Sequence, residues 1–549
     1  MIRLINKYKY FFLFIVLAGC KKLDLTPKDQ VSDASFWKKP ADFQLAVNDL
    51  YYGLQGAHNY TDNNSDIAFG SGPNPVSNGS YLATANSAVW DNAYKYIRAV
   101  NYFLQKGTES GLGTQIDRWT GEALFFRAYN YWNLVKSFGG VPKIDKVLDV
   151  TSPELYSQRS SQAEIINFVL ADLDNAINKL PEQNQLTADE LGRVTRGAAL
   201  ALKARVALYM GTWAKYHAQG DATPYLTTAI AAAEAMVTSG QYSVYTGMGA
   251  DSYKYLFILQ GDDSPEVILA RRYYANRATH NWTRELWFNA MVPTKNLADQ
   301  YLSKDGLPIT QSPLFQGYNT LVSEFQNRDP RMAMTFIVPG STIFLEGGIM
   351  QPTYPGFSGS NATQTGYMLR KFLDETLDAA QFRGQYDFKE FRYAEVLLIL
   401  AEALYEKNGS ISDADLNRTI NVLRNRVNMP ALTNVHVTTN GLNMLTEIRR
   451  ERTVELAFEG FRREDLRRWK LAETVLPQAI RGVKFVGTEY QVRYPDLQVG
   501  VDIQVDANGF IIAEPAGSRQ FQSKHYLDPL PLQQIQLSQG TLTQNPGWQ

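Results

Sequence analysis

The sequence predicts a mainly α-helical fold, in which tetratricopeptide-like helical hairpins form a scaffold and a loop-rich segment is inserted between them. Several stretches carry apolar residues at alternating steps of three and four, the pattern of a helix that packs on one face. Helix, short turn and helix recur within roughly 34 to 40 residues, which is typical of tetratricopeptide-like stacking. In contrast, residues 242–387 show no long amphipathic stripe and mix Gly, Pro, Asn and Ser with aromatic residues.

The first predicted helix pair covers residues 119–138 and 161–180. The first of these helices is dense in aromatic residues, and a Gly-Gly-Val-Pro sequence at 139–142 ends it. Ser161 and Glu164 predict a capping box at the start of the second helix, because each side chain can accept a hydrogen bond from the other residue's backbone N–H group.

The second and third pairs are predicted at 195–210 with 223–239 and at 391–407 with 413–428. Thr223 is predicted as the N-cap of its helix, because a proline follows at the first helical position. Each pair alone is also compatible with a generic bundle of helical hairpins, so that alternative stays open.

Two further regions are expected to be irregular. Residues 56–88 contain a Gly-Ser-Gly-Pro-Asn-Pro sequence at 70–75, which indicates turns. The tail beyond Arg481 is expected to form short strands and turns that end in a packed coil. Trp90 stands at the start of a helix with Tyr94 one turn later, so we predict a structural role for it.

The N-terminus has the parts of a secretory signal: basic residues, an apolar run at 10–19 and small residues just before Cys20. The run is too short to span the ~30 Å hydrocarbon core of a membrane. Small residues before a single cysteine resemble the lipobox of bacterial lipoproteins, which implies that residues 1–19 are removed and Cys20 is acylated. An ordinary signal peptide is the alternative. No second apolar stretch approaches the roughly twenty residues that cross a bilayer, so the lipid would be the only membrane contact.

The composition is that of a globular protein, with 44% hydrophobic and 20% charged residues. Its net charge of −1 argues against nucleic-acid binding, which requires a net basic face. Because Cys20 is the only cysteine, intrachain disulfides and cysteine-ligated metal sites are excluded. The 31 Tyr and 9 Trp residues can fill cores or line binding surfaces, so their positions must decide between the two.

Signatures of catalysis are largely absent. The five histidines are far apart in sequence and show no zinc-binding spacing. The Gly-Phe-Ser-Gly-Ser sequence at 356–360 departs from the nucleophile-elbow pattern at its fifth position. The chain also contains no P-loop and no dinucleotide-binding fingerprint. The sequence therefore predicts a protein that is not an enzyme.

The most charged predicted helix covers residues 447–469, where Glu451, Glu455 and Glu459 recur at every fourth residue. Carboxylates stacked on one helical face repel each other unless cations lie between them, and arginines are plentiful here. We therefore predict an ion-pair network that fixes helix packing. The alternative, a glycosidase acid/base pair, needs two carboxyls that face each other across a cleft at about 5 to 9.5 Å.

A series of motifs runs in order along nearly the whole chain. The motifs are Leu23-Asp24-Leu25-Thr26-Pro27, Phe36-Trp37, Trp90 with Tyr94, Ile97 and Asn101, Phe138-Gly139-Gly140-Val141-Pro142, Arg392-Tyr393-Ala394-Glu395, Glu455-Leu456-Ala457-Phe458-Glu459-Gly460, Asp528-Pro529-Leu530-Pro531 and Asn545-Pro546-Gly547-Trp548. In this order they resemble the SusD/RagB family. The matched motifs belong mostly to the scaffold, so they indicate the family without naming a ligand.

The resemblance implies a surface lipoprotein of Bacteroidetes-type bacteria, anchored to the outer membrane at Cys20, that binds a nutrient, usually an oligosaccharide. Its partner would be a SusC-like TonB-dependent transporter, faced largely by the helices. The implied regions are a signal peptide at 1–19, a SusD-like helical region at 20–241, a partly β ligand-binding lobe at 242–387, and a C-terminal helical region with its tail at 388–549. No cofactor is expected. Ca²⁺ is possible in this family, but no EF-hand-type loop places it.

Sugar binders combine an exposed aromatic ring with polar side chains at its rim, because sugar rings present C–H patches edged by hydroxyls. We expect such residues in the irregular segments. The candidates are Tyr81, Trp282, Trp287, Tyr318 and Tyr354 as aromatic platforms, and Asn74, Asn281 and Arg284 as their polar partners. Each aromatic residue could instead anchor its own loop.

Three functions remain open at this point. A glycan-capture lipoprotein is preferred over a peptide-binding or purely protein-scaffolding surface lipoprotein, and a surface glycoside hydrolase is the least favoured. Weak, saturable sugar binding without hydrolysis would support the first function. Release of reducing ends would establish the hydrolase, and tight association with a transporter in the absence of sugar binding would favour the scaffold or a peptide ligand.

Overall fold

The computed structural model describes residues 33, 35–56, 61–345, 349–359, 361–374 and 383–548. Cys20, the predicted signal peptide and the motif at 23–27 lie outside the described residues, so the expectations about them stay predictions. Within the described part of the chain, no helix combines the length and the apolar character that crossing a membrane requires.

Helices dominate the regular structure, which confirms the predicted mainly α fold. In chain order they are α1 (Pro40–Asn48), α2 (Pro75–Asn78), α3 (Ala88–Ser110), α4 (Asp117–Phe138), α5 (Gln162–Ile177), α6 (Arg196–His217), α7 (Thr223–Ser239), α8 (Ser252–Tyr255), α9 (Trp282–Trp287), α10 (Lys295–Ala298), α11 (Pro330–Thr335), α12 (Tyr393–Asn408), α13 (Asp413–Asn417), α14 (Ile420–Arg426), α15 (Asn434–Thr439), α16 (Met444–Glu455), α17 (Arg462–Arg468), α18 (Ala472–Val475), α19 (Glu489–Arg493) and α20 (Leu532–Leu537).

The first two predicted helical hairpins are confirmed, because α4 packs against α5 and α6 packs against α7. The capping box of α5 is present: Ser161 Oγ accepts a bond from Glu164 N at 3.2 Å, and Glu164 Oε2 accepts one from Ser161 N at 2.8 Å. The cap predicted for α7 was wrong, because Ala222 holds the N-cap position and Thr223 is already helical.

Two predicted helices are interrupted, and each break has a local cause. The stretch at 413–428 divides into α13 and α14, because Thr419 leaves the helical conformation with φ −126° and ψ −97°. The stretch at 447–469 divides into α16 and α17, because Phe458 and Gly460 adopt positive φ angles of 65° and 82°. A chain that takes left-handed conformations at two nearby positions cannot continue a right-handed helix through them.

Eight short strands in the described residues form four antiparallel pairs. They are β1 (Ala68–Gly70) with β3 (Met291–Pro293), β2 (Val267–Arg271) with β6 (Phe388–Arg392), β4 (Thr342–Leu345) with β5 (Ile349–Pro352), and β7 (Ile480–Lys484) with β8 (Phe510–Glu514). Phe391, which we predicted at the start of a helix, lies in β6, and α12 begins at Tyr393. The pairing of β2 with β6 places the early part of the inserted segment beside the residues that directly follow it, while the exact domain limits stay predictions.

Two large hydrophobic cores organise the molecule. The first is formed by the scaffold helices and includes Trp90, which packs against Tyr94 and Phe138 as its predicted structural role requires. The second core combines the inserted segment with residues of the C-terminal region, such as Phe458 and Phe485. Because the two regions bury apolar surface in one shared core, the inserted segment is packed onto the C-terminal region.

The three glutamates of the charged stretch form the predicted ion-pair network, and the network is buried. Each carboxylate has at least two cationic partners within 2.8 Å: Arg331 and Arg424 on Glu451, Arg392 and Arg426 on Glu455, and Arg392 and Lys371 on Glu459. Burial acts to raise the pKa of each carboxyl, but the adjacent cations hold the pKa of all three below the ordinary value. The network therefore joins α16 to the segments that pack around it.

Candidate functional site

A short strand pair joins the irregular N-terminal segment to the inserted lobe. β1 pairs with β3, and Gly70 lies opposite Met291. An exposed turn at 71–73 follows β1, and the turn at 288–290 precedes β3, so these two turns lie side by side. The strands hold this position because their apolar side chains share a small core of Phe69, Val292 and Ile480.

Asn74 shapes the turn that follows β1. Its Oδ1 accepts bonds from Val76 N at 2.9 Å and Ser77 N at 3.3 Å, which makes it the N-cap of α2. Its Nδ2 donates to Asn63 Oδ1 at 2.9 Å. Both ends of the amide are thus engaged within the protein, and contact between Asn74 and a ligand stays a prediction.

Helix α9 carries four of the predicted residues. Asn281 occupies its N-cap position. Trp282 is only 2% exposed and belongs to the second core, so its ring is not the exposed platform that we expected. The guanidinium of Arg284 lies 4.9 Å from the centroid of the Phe288 ring. Trp287 is partly buried against the same core, which leaves only part of its surface open to solvent.

Tyr354 meets the expectation of an exposed aromatic ring more closely. Its side chain is 36% exposed, and the guanidinium of Arg493 lies 3.5 Å from the ring centroid. Tyr494 donates a hydrogen bond to the carbonyl of Pro355 at 2.5 Å and packs edge-on against Phe357 at 5.0 Å. The two contacts from α19 and the residue after it fix the segment at 354–357 in place.

A hydrogen bond from Asn289 Nδ2 to the carbonyl of Asn361, 2.7 Å long, joins the turn after α9 to the segment after Tyr354. We name the resulting surface the loop seam. The loop seam consists of residues 71–74, 287–290, 354–359 and 361, together with Arg493. Within it Gly72 and Gly359 have open space where a side chain would stand, so backbone groups are accessible there.

The other two predicted aromatic residues contact different parts of the molecule. Tyr81 donates to Asp528 Oδ1 at 3.0 Å and packs against Trp548 at 4.9 Å, and burial raises its pKa. Tyr318 packs edge-on against Phe510 at 5.2 Å, and Lys295 Nζ lies 5.0 Å from its ring centroid. Both rings anchor the segments that carry them, which is the alternative role considered from the sequence.

Arg493, Asn289 and Asn361 are members of the loop seam that the sequence analysis did not name. Arg493 ends a five-residue helix in the tail, a region for which the sequence predicted short strands and turns and no binding residue. Asn361 is exposed and follows a Gly-Ser sequence, which could have marked it as a candidate, whereas Asn289 is buried between apolar residues and gave no such signal. No short-range pattern indicates that these turns meet.

The loop seam presents an aromatic ring, the exposed residue Asn361 and open backbone on one surface. Such a surface can stack against the C–H patches of a sugar ring and exchange hydrogen bonds with its hydroxyls. Among the residues that the structure describes, no group of three or more His, Cys, Asp or Glu side chains is arranged to hold a metal ion.

The profile of the SusD family matches residues 263–548, which is more than half of the chain. The chain belongs to the SusD family. A second profile, described as starch-binding associating with the outer membrane, matches residues 26–208 of this SusD-family protein. The two matches together confirm the resemblance that the ordered motifs indicated.

Relatives of known name share most of their length with this SusD-family protein. A SusD-like protein of Formosa agariphila is 25% identical over 501 residues, which cover 84% of this chain and 90% of the relative. A SusD-like carbohydrate-binding protein from Bacteroides fragilis is 27% identical, covers 92% of this chain and 99% of its own, and superposes with a TM-score of 0.76. A laminarin-binding SusD-like protein, 22% identical and covering 93% of this chain and 99% of its own, shares the fold with a TM-score of 0.58.

Proposed function

We propose that this SusD-family protein captures oligosaccharides or polysaccharides at the cell surface and passes them to a TonB-dependent transporter of the outer membrane. Membership of the SusD family carries this proposal. It is supported by the second matched profile, whose description names starch binding and the outer membrane, and by the carbohydrate-binding relative from Bacteroides fragilis. The proposed role is binding without catalysis.

The loop seam is the surface that we assign to glycan capture. Tyr354 supplies a partly exposed aromatic ring, and the guanidinium of Arg493, which lies over one face of that ring, can donate hydrogen bonds to a ligand beside it. The open space at Gly72 and Gly359 allows a polymer to approach the backbone closely at these two positions. A flat aromatic surface with polar edges gives weak affinity for each sugar unit, which suits a protein that must release its ligand.

Affinity electrophoresis against a panel of plant, host and microbial polysaccharides tests this proposal. We expect at least one polysaccharide to retard the wild-type protein, and we expect Tyr354→Ala or Arg493→Gln to abolish most of the retardation. Tyr156→Ala is the matched control, because Tyr156 is a similarly exposed tyrosine that lies in the helical scaffold. Trp282 is unsuitable for this test, because its truncation would leave a cavity in the second core.

Different outcomes would redirect the proposal. If no polysaccharide retards the protein, the glycan assignment fails, and short peptides become the next ligands to measure. Release of reducing ends from a bound polysaccharide would show hydrolysis and contradict a purely binding role.

Membrane anchoring and the transporter partnership form a separate part of the proposal. We expect labelled palmitate to be incorporated into the wild-type chain and lost in Cys20→Ser. We also expect the protein to co-purify with an outer-membrane transporter from detergent extracts of its own cells. Secretion of the unmodified chain into the medium would contradict the anchor without affecting glycan binding.

A further inference from the structure

A polar groove of about 490 Å³ opens on the scaffold, between the first turns of α3 and the last turns of α4. We name it the Lys136 groove. Its walls also include the turn that ends at Gly53 and the loop that leads into α17. The residues that line it share no member with the loop seam. Its volume lies within the range of about 300 to 1,000 Å³ that is typical of small-molecule sites.

The floor of the Lys136 groove continues into an inner cavity of about 60 Å³. Groove and cavity are joined by shared lining residues, among them Gln55, Tyr129, Asn133 and Lys136. The cavity has room for about four water molecules, at roughly 15 Å³ of accessible space for each. It is too small for a sugar ring, so a larger ligand would stay in the outer groove and meet ordered water at its floor.

Several polar groups in the walls have no hydrogen-bond partner among the residues that the structure describes. Lys136 Nζ makes no hydrogen bond or ion pair with another described residue, although its amine is half-buried. Tyr209 Oη and Arg452 Nη1 are buried at the inner cavity, and Arg463 Nε is buried at the groove. Each of these donors lacks a hydrogen-bond partner within the described part of the chain. Buried polar atoms without partners are rare in folded proteins, because each lost hydrogen bond costs stability.

Two acceptors that lack a partner among the described residues face the same space. Glu390 Oε2 is buried at the inner cavity, and Asn64 Oδ1 is buried at the groove. A purely anionic ligand would satisfy the donors but would meet the Glu390 carboxylate. A hydroxyl group both donates and accepts, so a polyhydroxylated ligand and the water beneath it can satisfy donors and acceptors together.

Aromatic rings complete the outer part of the groove. Tyr52 lines the groove, and at 72% it is the most exposed tyrosine among the described residues. Tyr96 lines the same wall and is half-buried. A largely exposed ring near amide side chains such as Asn92 is suited to stacking against a sugar ring.

We propose that the Lys136 groove is a second sugar site, which takes one or two terminal sugar units, with Tyr52 as the stacking ring and Lys136 and Asn133 as hydrogen-bond partners. The proposed function supports the choice of a sugar as the ligand class, whereas the site itself follows from the unpartnered groups and the groove. A chain end held here and an internal stretch held at the loop seam would give one glycan two points of attachment.

Saturation-transfer NMR on the full chain in detergent tests the second site, with free glucose, galactose, mannose and glucuronate as probes. We expect at least one probe to bind, and we expect Tyr52→Ala and Lys136→Gln each to weaken its binding about tenfold. Tyr156→Ala is the control, because Tyr156 is an exposed tyrosine outside both the groove and the loop seam, and it should leave binding of the free sugar unchanged. Because Tyr52 is exposed, its substitution should not change the midpoint of thermal unfolding.

Two results would overturn the second site: no signal from any of the probes, or a signal that persists in both groove variants. Polysaccharide retardation by the loop seam is measured separately. If retardation persists while the free sugars fail to bind, the second site is refuted and the proposed function stands. If free sugars bind at the groove while no polysaccharide is retarded, the second site stands and polysaccharide capture at the loop seam is refuted.

Discussion

Arg392 illustrates how this protein stabilises charge inside its fold. Its guanidinium contacts the carboxylates of Glu266 at 2.8 Å, Glu455 at 2.8 Å and Glu459 at 2.6 Å, and it also donates to the carbonyl of Glu455. Removing ions from water costs several kcal/mol for each, and the cost is offset only where each charge finds close partners. Arg392 provides such partners for three buried carboxylates at once.

Replacing the side chain of Arg392 should therefore destabilise the fold strongly. We expect Arg392→Met to lower the free energy of unfolding by about 3 to 5 kcal/mol, because buried carboxylates lose a cation. Arg418→Met is the matched control, since Arg418 is 38% exposed and pairs with Glu234 and Asp415, so its loss should cost less than about 1 kcal/mol. Urea unfolding followed by circular dichroism measures both, and equal losses would contradict this account.

The sequence predicted this network only in part. A glutamate at every fourth residue requires cations nearby, and that requirement could be stated without a structure. The identity of the cationic partners could not be predicted, because Arg331, Arg392 and Arg424 lie on three other elements. Tryptophans gave no comparable signal: Trp282 and Trp287 belong to the same short helix, and only tertiary packing shows that Trp282 is fully buried.

At the scale of elements, strand β7 depends on a glycine. A Cβ atom at Gly482 would lie 2.0 Å from the carbonyl oxygen of Thr365, a backbone atom that cannot move freely. Thr365 also supports β3, because its Oγ1 donates a hydrogen bond to the carbonyl of Pro293 at 2.8 Å. β7 therefore helps to position one side of the loop seam.

Gly482→Ala should damage both stability and binding. We expect about 1 to 3 kcal/mol of destabilisation from the forced displacement, together with weaker retardation by polysaccharides. Gly517→Ala is the control, because nothing lies within 4 Å of its added Cβ. Thermal unfolding and affinity electrophoresis of the two variants check this expectation. Unchanged polysaccharide retardation in a destabilised Gly482→Ala would show that β7 does not position the seam.

Helix caps offer a second comparison at this scale. Ser161→Ala removes the side-chain oxygen that accepts from Glu164 N, so we expect a loss of about 1 kcal/mol. Thr223→Ala should change stability by less than about 0.5 kcal/mol, because Thr223 caps nothing. The midpoints of urea unfolding distinguish the two, and a larger effect at Thr223 would contradict the capping assignment.

These two residues also show where element prediction succeeds and fails. A Ser with Glu three residues later defines a cap completely, because both partners are local in sequence. A Thr before Pro does not decide which of two neighbouring residues is the N-cap, and in the structure the N-cap is Ala222. The break at Thr419 had no local signal, because Thr419 is neither a glycine nor a proline. The break after α16 had a partial one, because Gly460 is a residue that commonly ends helices, whereas the positive φ of Phe458 could not be expected from its residue type.

At the scale of the whole molecule, the loop seam is assembled from three regions that are distant in sequence. β1 contributes the turn at 71–73, the inserted segment contributes Tyr354, and the tail contributes Arg493. The irregular composition of the first two regions indicated binding loops, which is why Asn74 and Tyr354 were named. The contribution of the tail could not be predicted, because it depends on how the two cores pack.

Buried acids in different surroundings give the whole molecule an unusual dependence on pH. Burial acts to raise the pKa of Glu402, but the Arg468 guanidinium, whose Nη2 lies 2.7 Å away, lowers it to about 2. Burial raises the pKa of Asp62 to about 6, although the hydrogen bonds that it accepts from the backbone N–H groups of Gly460 and Arg462 act to lower the pKa. The ordinary pKa is 4.5 for Glu and 3.8 for Asp. The pKa of Glu402 is therefore lowered and that of Asp62 raised, so the two groups change the stability of the fold in opposite directions as the pH falls.

Glu402 stabilises the fold above pH 4.5, and this stabilisation, about 3 kcal/mol, is lost as the pH falls through about 2. As the pH falls, Asp62 takes up a proton at about pH 6 in the folded state but only at about 3.8 in the unfolded chain. Stability therefore rises by a similar amount as the pH falls from about 6 to 3.8. We therefore expect the free energy of unfolding in urea to be maintained or to increase between pH 7 and 5 and to fall below about pH 4. Asp62→Asn should remove the increase, and Glu402→Gln should weaken the fall. A steady loss of stability from pH 7 downward, unchanged by Asp62→Asn, would contradict this assignment of the two carboxyls.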